Sequence, residues 1–203
     1  CSFFLITRVR FDEAIAEASG MILTKINVGE AYYWRAWNKR ETNQLLAARV
    51  DSDIMKTLLF NGRVLTLSGQ IEYDVDDLSV AQTDLSNAVN LGGGENCIAQ
   101  WYWSLVQLKK QAWPQTADGF VKSMSCYDID RVKTIAELDE MKKALNVDED
   151  WRKGQIANFE TVINEDDSQI SASAFNAAVN FARAQNRDKA LEYLELAAKD
   201  PSR

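Results

Sequence analysis

The sequence predicts an all-α protein built from stacked antiparallel helical hairpins, an α-solenoid. Three observations carry this reading. Only Pro114 and Pro201 are prolines in 203 residues, and proline costs a helix interior about 3 kcal/mol. Small and large apolar residues recur with a period near 34. Breaks rich in Gly and Asn mark that period at Asn27-Val28-Gly29, Phe60-Asn61-Gly62 and Leu91-Gly92-Gly93-Gly94, where helices must stop.

The period has a fixed internal pattern. In the clearest copy, Leu65-Thr66-Leu67-Ser68-Gly69 is followed by Leu78, Ala81, Leu85 and Ala88. A second clear copy has Ala174-Phe175-Asn176-Ala177-Ala178, then Ala190, Leu194 and Ala197. A small residue thus precedes an alanine by 12 positions, with a large residue 4 later and another alanine 7 later. Three further places fit: Ser2 with Phe11, Ala14, Ala18 and Met21; Ala36 with Leu45, Ala48, Ser52 and Met55; Ser104 with Trp113, Thr116, Phe120 and Ser123. The leading small residues stand at 2, 36, 69, 104 and 178, separated by 34, 33, 35 and 74.

Each copy is expected to contain a helix A and an antiparallel helix B. The small residue of helix A lies where helix B crosses closest, with the alanine opposite. The large residue one turn on fills the gap to the next hairpin. A lone hairpin cannot cover its apolar face, so neighbours must stack. Residues 129–170 fit the frame poorly and are expected to form a divergent hairpin. Leu138, Met141, Ala144 and Leu145 keep helical spacing there, and Asp148-Glu149-Asp150 before Trp151 is a helix start. Asp74-Val75-Asp76-Asp77 before Leu78 is another.

This pattern resembles the tetratricopeptide repeat (TPR) over about residues 2–128 and 171–201. The family's aromatic at the fourth repeat position is Tyr32 in one copy but Leu65, Gln100 and Ala174 in others, and its closing proline occurs only as Pro201. The resemblance implies a single right-handed superhelix, with regular repeats to about 128, the divergent hairpin to about 170 and a terminal repeat over 171–201. It also implies a concave groove lined by the A helices. In the second unit the groove positions are Glu30, Tyr33, Trp37 and Arg40; in the third, Arg63, Thr66, Gln70 and Tyr73. In the fourth they are Ile98, Trp101, Leu105 and Leu108; in the last, Ala172, Phe175, Val179 and Ala182. Tyr33, Trp37, Arg40, Arg63, Tyr73 and Trp101 are the candidate peptide-binding residues, since Tyr, Trp and Arg dominate binding hot spots. The competing reading packs these side chains against the next hairpin or a terminal helix. The family's carboxylate-gripping mode is not supported, because the groove lacks the matching Asn/Lys set.

Composition narrows the function further. The net charge is −7, spread evenly: 15 acids against 12 bases in residues 1–128, and 15 against 11 beyond. No basic stripe exists to hold nucleic acid or an anionic membrane. The chain has no histidine. That removes the commonest acid–base residue and all His-ligated metal sites. No CxxC pair is present, and nothing calls for a metal or cofactor. Gly92-Gly93-Gly94 lacks the strand and Lys of a phosphate loop, and Asp74, Asp76 and Asp77 lack the ligand order of a calcium loop. Chance carboxylate pairs are expected among 30 acids. An enzyme is therefore not expected.

In the repeat frame Cys97 opens helix A of one hairpin and Cys126 closes its helix B. They are candidates for a disulfide, which would favour a periplasmic or other extracytoplasmic location; the alternative is two buried thiols acting as small apolar residues. The Cys1-Ser2 start without Met reads either as the lipidated first residue of a mature bacterial lipoprotein or as a helix cut at its start. No apolar run of roughly 18 residues exists to span a bilayer. The expected function is a non-catalytic bacterial scaffold that binds a protein or peptide. The alternatives are a structural spacer or self-assembly segment of a larger protein, and a glycan-binding surface using exposed tryptophans.

Overall fold

The computed structural model describes residues 2–91, 97–143 and 148–199, with side chains from residue 10 onward. Among the described residues there are nine helices and no strand. They are α1 (Ser2–Leu23), α2 (Val28–Glu41), α3 (Leu45–Leu58), α4 (Gly62–Asp74), α5 (Leu78–Leu91), α6 (Cys97–Lys109), α7 (Trp113–Lys143), α8 (Glu149–Arg183) and α9 (Arg187–Ala198). Residues 1–106 form one compact unit and 107–203 a second. The Gly92-Gly93-Gly94 break, Ala144, Leu145, Cys1 and Pro201 lie outside the described residues.

The repeat frame survives as burial. Ala36, Ala48, Ser52 and Met55 are all fully buried, and so are Ala81, Leu85 and Ala88. Ser104, Thr116, Phe120 and Ser123 are too. The turn inside each copy is also periodic. Asn43, Asp76, Gln111 and Gln185 adopt φ of 60°, 67°, 59° and 60°, each seven residues after its small residue. In each turn the left-handed N–H donates three residues back and the next N–H donates five back. Gln44 N, for example, bonds Lys39 O at 2.7 Å and Asn186 N bonds Phe181 O at 2.9 Å. This double bond satisfies the last carbonyls of helix A. Left-handed backbone costs a side chain with a Cβ roughly 1–2 kcal/mol, less for Asn and Asp. Gln111→Gly and Gln185→Gly are therefore each expected to stabilise the protein by about 0.5–1 kcal/mol, after allowing for glycine's greater freedom when unfolded. A rise in the urea midpoint checks this; an unchanged or lowered midpoint in both variants refutes it.

Helix starts follow their capping side chains. Asn61 accepts from Val64 N at 3.0 Å, Asp77 from Val80 N at 3.3 Å and Asp148 from Trp151 N at 2.9 Å. Each removes one unpaired N–H from a first turn.

One expectation is corrected. Ser2 and Ala14 do not sit on separate helices: α1 runs unbroken from Ser2 to Leu23. No Gly, Asn or Pro lies between Ser2 and Ser19 to stop it. Residues 129–170, expected as a divergent hairpin, stand on two helices that pack together and that extend beyond those bounds. They are the outer parts of α7 and α8, helices of 31 and 35 residues. Past Trp113-Pro114 only Gly119 interrupts α7's composition, and a single helical glycine costs just about 1 kcal/mol.

In the first unit successive helices α1 to α5 pack in order, and α2 also touches α4. One core joins Ala36, Ala48 and Met55 to Val64, Leu67 and Ile71. The next joins Leu65, Ala81, Leu85 and Ala88 to Ala99 and Val106. Buried carboxylates lie beside these cores. Asp51 accepts from Arg35 at 2.6 and 2.8 Å and from Lys39 at 2.8 Å. Asp84 accepts from Ser68 at 2.6 Å and from Lys56 at 3.1 Å. Glu72 accepts from Arg49 at 3.1 Å; burial pushes its carboxyl up, against the pull of Arg49 and Lys56.

In the second unit α8 packs on both α7 and α9. Its buried residues gather at Thr116, Ala117, Phe120 and Ser123 on α7 and at Ser173, Ala174, Ala177, Ala178 and Phe181 on α8. Farther out, Arg131 donates to Asp167 across the hairpin. Burial, with Asp130, Asp167 and Glu165 nearby, raises the pKa of the adjacent Asp166.

Candidate functional site

The groove positions of the first unit fall on α2, α4 and α6, the three A helices. Spacing by three and four residues puts Glu30, Tyr33, Trp37 and Arg40 on one face of α2. Arg63 reaches over from α4. Its guanidinium lies 3.9 Å from the Tyr33 ring centre and 5.1 Å from that of Trp34, and its Nη1 is 3.4 Å from Glu30 Oε2. Tyr33 and Trp37 meet Trp34 edge-on at 5.4 and 6.0 Å, and Phe11 stands 5.8 Å from Trp37. Tyr33 and Trp37 also rest on the first core. They serve packing and surface together.

Arg40 plays a different part from its neighbours. Its Nε donates to Asp74 at 2.6 Å and its Nη2 to the Tyr102 hydroxyl at 2.8 Å. Tyr102 in turn meets Tyr73 edge-on at 5.7 Å. Burial opposes the charge on Arg40, yet Tyr102 and Asp74 outweigh it and raise its pKa. Arg40 therefore ties α2, α4 and α6 into one surface. Tyr73 packs on the second core, Thr66 is buried, and Trp101 is half-buried on α6.

Exposure separates the residues a ligand can reach. The Arg63 side chain is 48% exposed and Trp34 is 47% exposed; Ile98 on α6 is exposed too. Trp34 lies outside the family's groove positions, and sequence reasoning missed it. The available signal was Trp37, three residues on, which shares its helix edge. Tyr102 was missed for the same reason. Phe175 of the terminal copy is exposed, on the second unit. Cys97 and Cys126 are both buried, the first opening α6 and the second within α7.

Among solved structures, MamA matches 97% of this chain and 91% of its own, with a TM-score of 0.69 and 13% identity. YrrB, described as a TPR protein with an unusual peptide-binding site, matches 98% of this chain and 82% of its own, with a TM-score of 0.61 and 16% identity. The fold is TPR-like. No family model matches the sequence, and no curated protein matches it significantly. At such identities the TPR-like likeness speaks for architecture, and function must come from the site. No described helix is long and apolar enough to cross a membrane.

Proposed function

We propose that this chain is a non-catalytic, protein-binding scaffold that takes an extended peptide across the α2–α4–α6 face. The observation that carries the reading is the Tyr33–Trp34–Trp37 cluster with Arg63 stacked on its open side. Half-exposed Trp and Arg held rigidly by their neighbours give large contact area at little entropic cost. The peptide-binding site named for YrrB agrees in kind. Tyr33, Trp37 and Tyr73 form the floor, Trp34, Arg63 and Trp101 supply contacts, and Arg40 sets the geometry. Peptides selected from a display library on the wild type are expected to bind Trp34→Ala/Arg63→Ala at least tenfold more weakly. Both residues are half-exposed, so the fold should be retained. Equal affinity for the folded variant would sink the assignment.

We further propose that Cys97 and Cys126 pair as a disulfide, which places the protein in an oxidising compartment. Both are buried, Cys97 at the start of α6 and Cys126 within α7, which runs on past the end that the repeat frame gave it. Denatured but unreduced protein should then show neither thiol reacting with alkylating reagent. Reaction at both positions removes the pairing and the compartment with it.

A further inference from the structure

One edge of the first unit carries exposed apolar residues that recur with the repeat. Leu23 ends α1, Leu58 ends α3 and Leu91 ends α5, spaced by 35 and 33. Ile26 and Phe60, spaced by 34, stand in the loops before α2 and α4. Antiparallel packing of successive helices brings these ends to the same edge. All five side chains are exposed, Phe60 by 69%. The local backbone explains the sharpest case. Leu59 is extended, with φ −135° and ψ 106°, and packs on the first core. Side chains alternate along extended backbone, so turning Leu59 in turns Phe60 out. The helices this loop joins, α3 and α4, also pack on α2 and α5, so the exposure of Leu58 and Phe60 owes nothing to a chain end.

The same edge is bare of carboxylates. Residues 20–29, 54–63 and 85–94 contain none of the chain's 30 acids, yet they contain Lys25, Lys56 and Arg63. The opposite edge, where α2 and α4 end, carries Glu41, Asp74, Asp76 and Asp77. This separation holds in a chain of net charge −7. Apolar tips beside cations, with no anion among them, match the interface of a phospholipid bilayer. Its acyl boundary accepts Leu, Ile and Phe, and its phosphates attract Lys and repel carboxylates. Inserted side chains supply the affinity, so no basic stripe is required. A second copy fits less well: edge on edge, it would bring the cations of two rows together with no carboxylate between them.

We propose that the edge formed by Leu23, Ile26, Leu58, Phe60 and Leu91 rests on a phospholipid surface as a peripheral contact. The row includes none of Tyr33, Trp34 and Trp37, so it stands apart from the peptide reading. Flotation of the whole protein with phosphatidylcholine vesicles, with and without added phosphatidylserine, tests it. The wild type is expected to float with both, half-bound by roughly 1 mM lipid, and more tightly with phosphatidylserine. Ile26→Glu/Phe60→Glu, at two exposed positions, should keep the wild-type circular dichroism and bind at least tenfold more weakly. Phe60→Ser, a milder change, should weaken binding in the same direction. Leu46→Glu is the control. Leu46 is 76% exposed but lies at the start of α3, on the opposite edge, and its variant should float like wild type. A wild type that floats with neither vesicle overturns the proposal, as do folded edge variants that float unchanged. Equal loss in Leu46→Glu overturns it too, since the edge would then have no special part. Association of lipid-free wild type that the double variant abolishes would give the edge to a second copy and overturn it as well.

Discussion

Gly69→Val is expected to destabilise the protein by about 3 kcal/mol, lowering its urea midpoint sharply. A Cβ at Gly69 would run into Leu85 Cγ and lie 2.7 Å from Leu85 Cδ2. Cγ is a branch carbon near the backbone, and Leu85 is fully buried among Leu65, Ala81 and Ala88. It cannot swing aside without opening a void elsewhere. Gly69→Ala meets the same contact with one carbon, and recovers about 1 kcal/mol of helix propensity. Its net cost should be smaller, about 1 kcal/mol. Gly154 supplies the opposite case, with nothing within 4 Å of its would-be Cβ. Gly154→Ala should therefore stabilise by up to about 1 kcal/mol. Combining Gly69→Ala with Leu85→Ala should cost less than the sum of the two changes, since they act on one contact. A Gly69→Val protein that melts with the wild type would mean the small residue of helix A is not a steric requirement.

That contact shows why the hairpin frame was legible in the sequence. Close crossing of two helices requires small side chains at fixed spacing, and spacing is visible without coordinates. Residues whose role depends on crossing alone, such as Ala36, Ala48, Ala81 and Ala88, could thus be named in advance. Helix length was less legible. A helix ends where a turn residue and a packing partner coincide, and α1 and α7 continue because neither interrupts them. The candidate site was legible only in outline. Tyr33, Trp37 and Arg63 meet in one cluster around Trp34, and Tyr73 meets Tyr102. Whether an arginine is open or committed depends on partners distant in sequence: Arg40 finds Asp74 34 residues on and Tyr102 62 residues on. Spacing carries no trace of those pairings. Trp34 was lost because a helix edge exposes residues on both sides of an idealised stripe.

One polar rule was present in the spacing all the same, and it carries the second large effect. Arg35–Asp51 and Ser68–Asp84 are each separated by 16 residues, and each joins the residue before the small position to a carboxylate in helix B. Asp51→Ala is expected to cost about 3 kcal/mol. Asp51 is only 1% exposed, and its loss strands two cations whose side chains are 19% and 15% exposed. Those cations retain some water, which holds the cost at the low end for a broken buried pair. Asp51→Asn keeps an acceptor but loses the charge, so it should fall between alanine and wild type. Arg35→Ala/Asp51→Ala should recover part of the loss, because the double variant leaves only Lys39 unpaired. The exposed Glu149–Lys153 pair on α8, with side chains 68% and 66% exposed, sets the scale. Glu149→Ala removes at most about 0.5 kcal/mol of pairing. If Asp51→Ala cost no more than Glu149→Ala, Arg35 and Lys39 would be solvating themselves, and the carboxylate would be a consequence of the hairpin rather than a support for it. A large coupling between Arg35 and Asp51 requires the opposite: the charge is fixed where helices A and B leave room for one carboxylate, and the repeat preserves the space while changing its donor from arginine to serine.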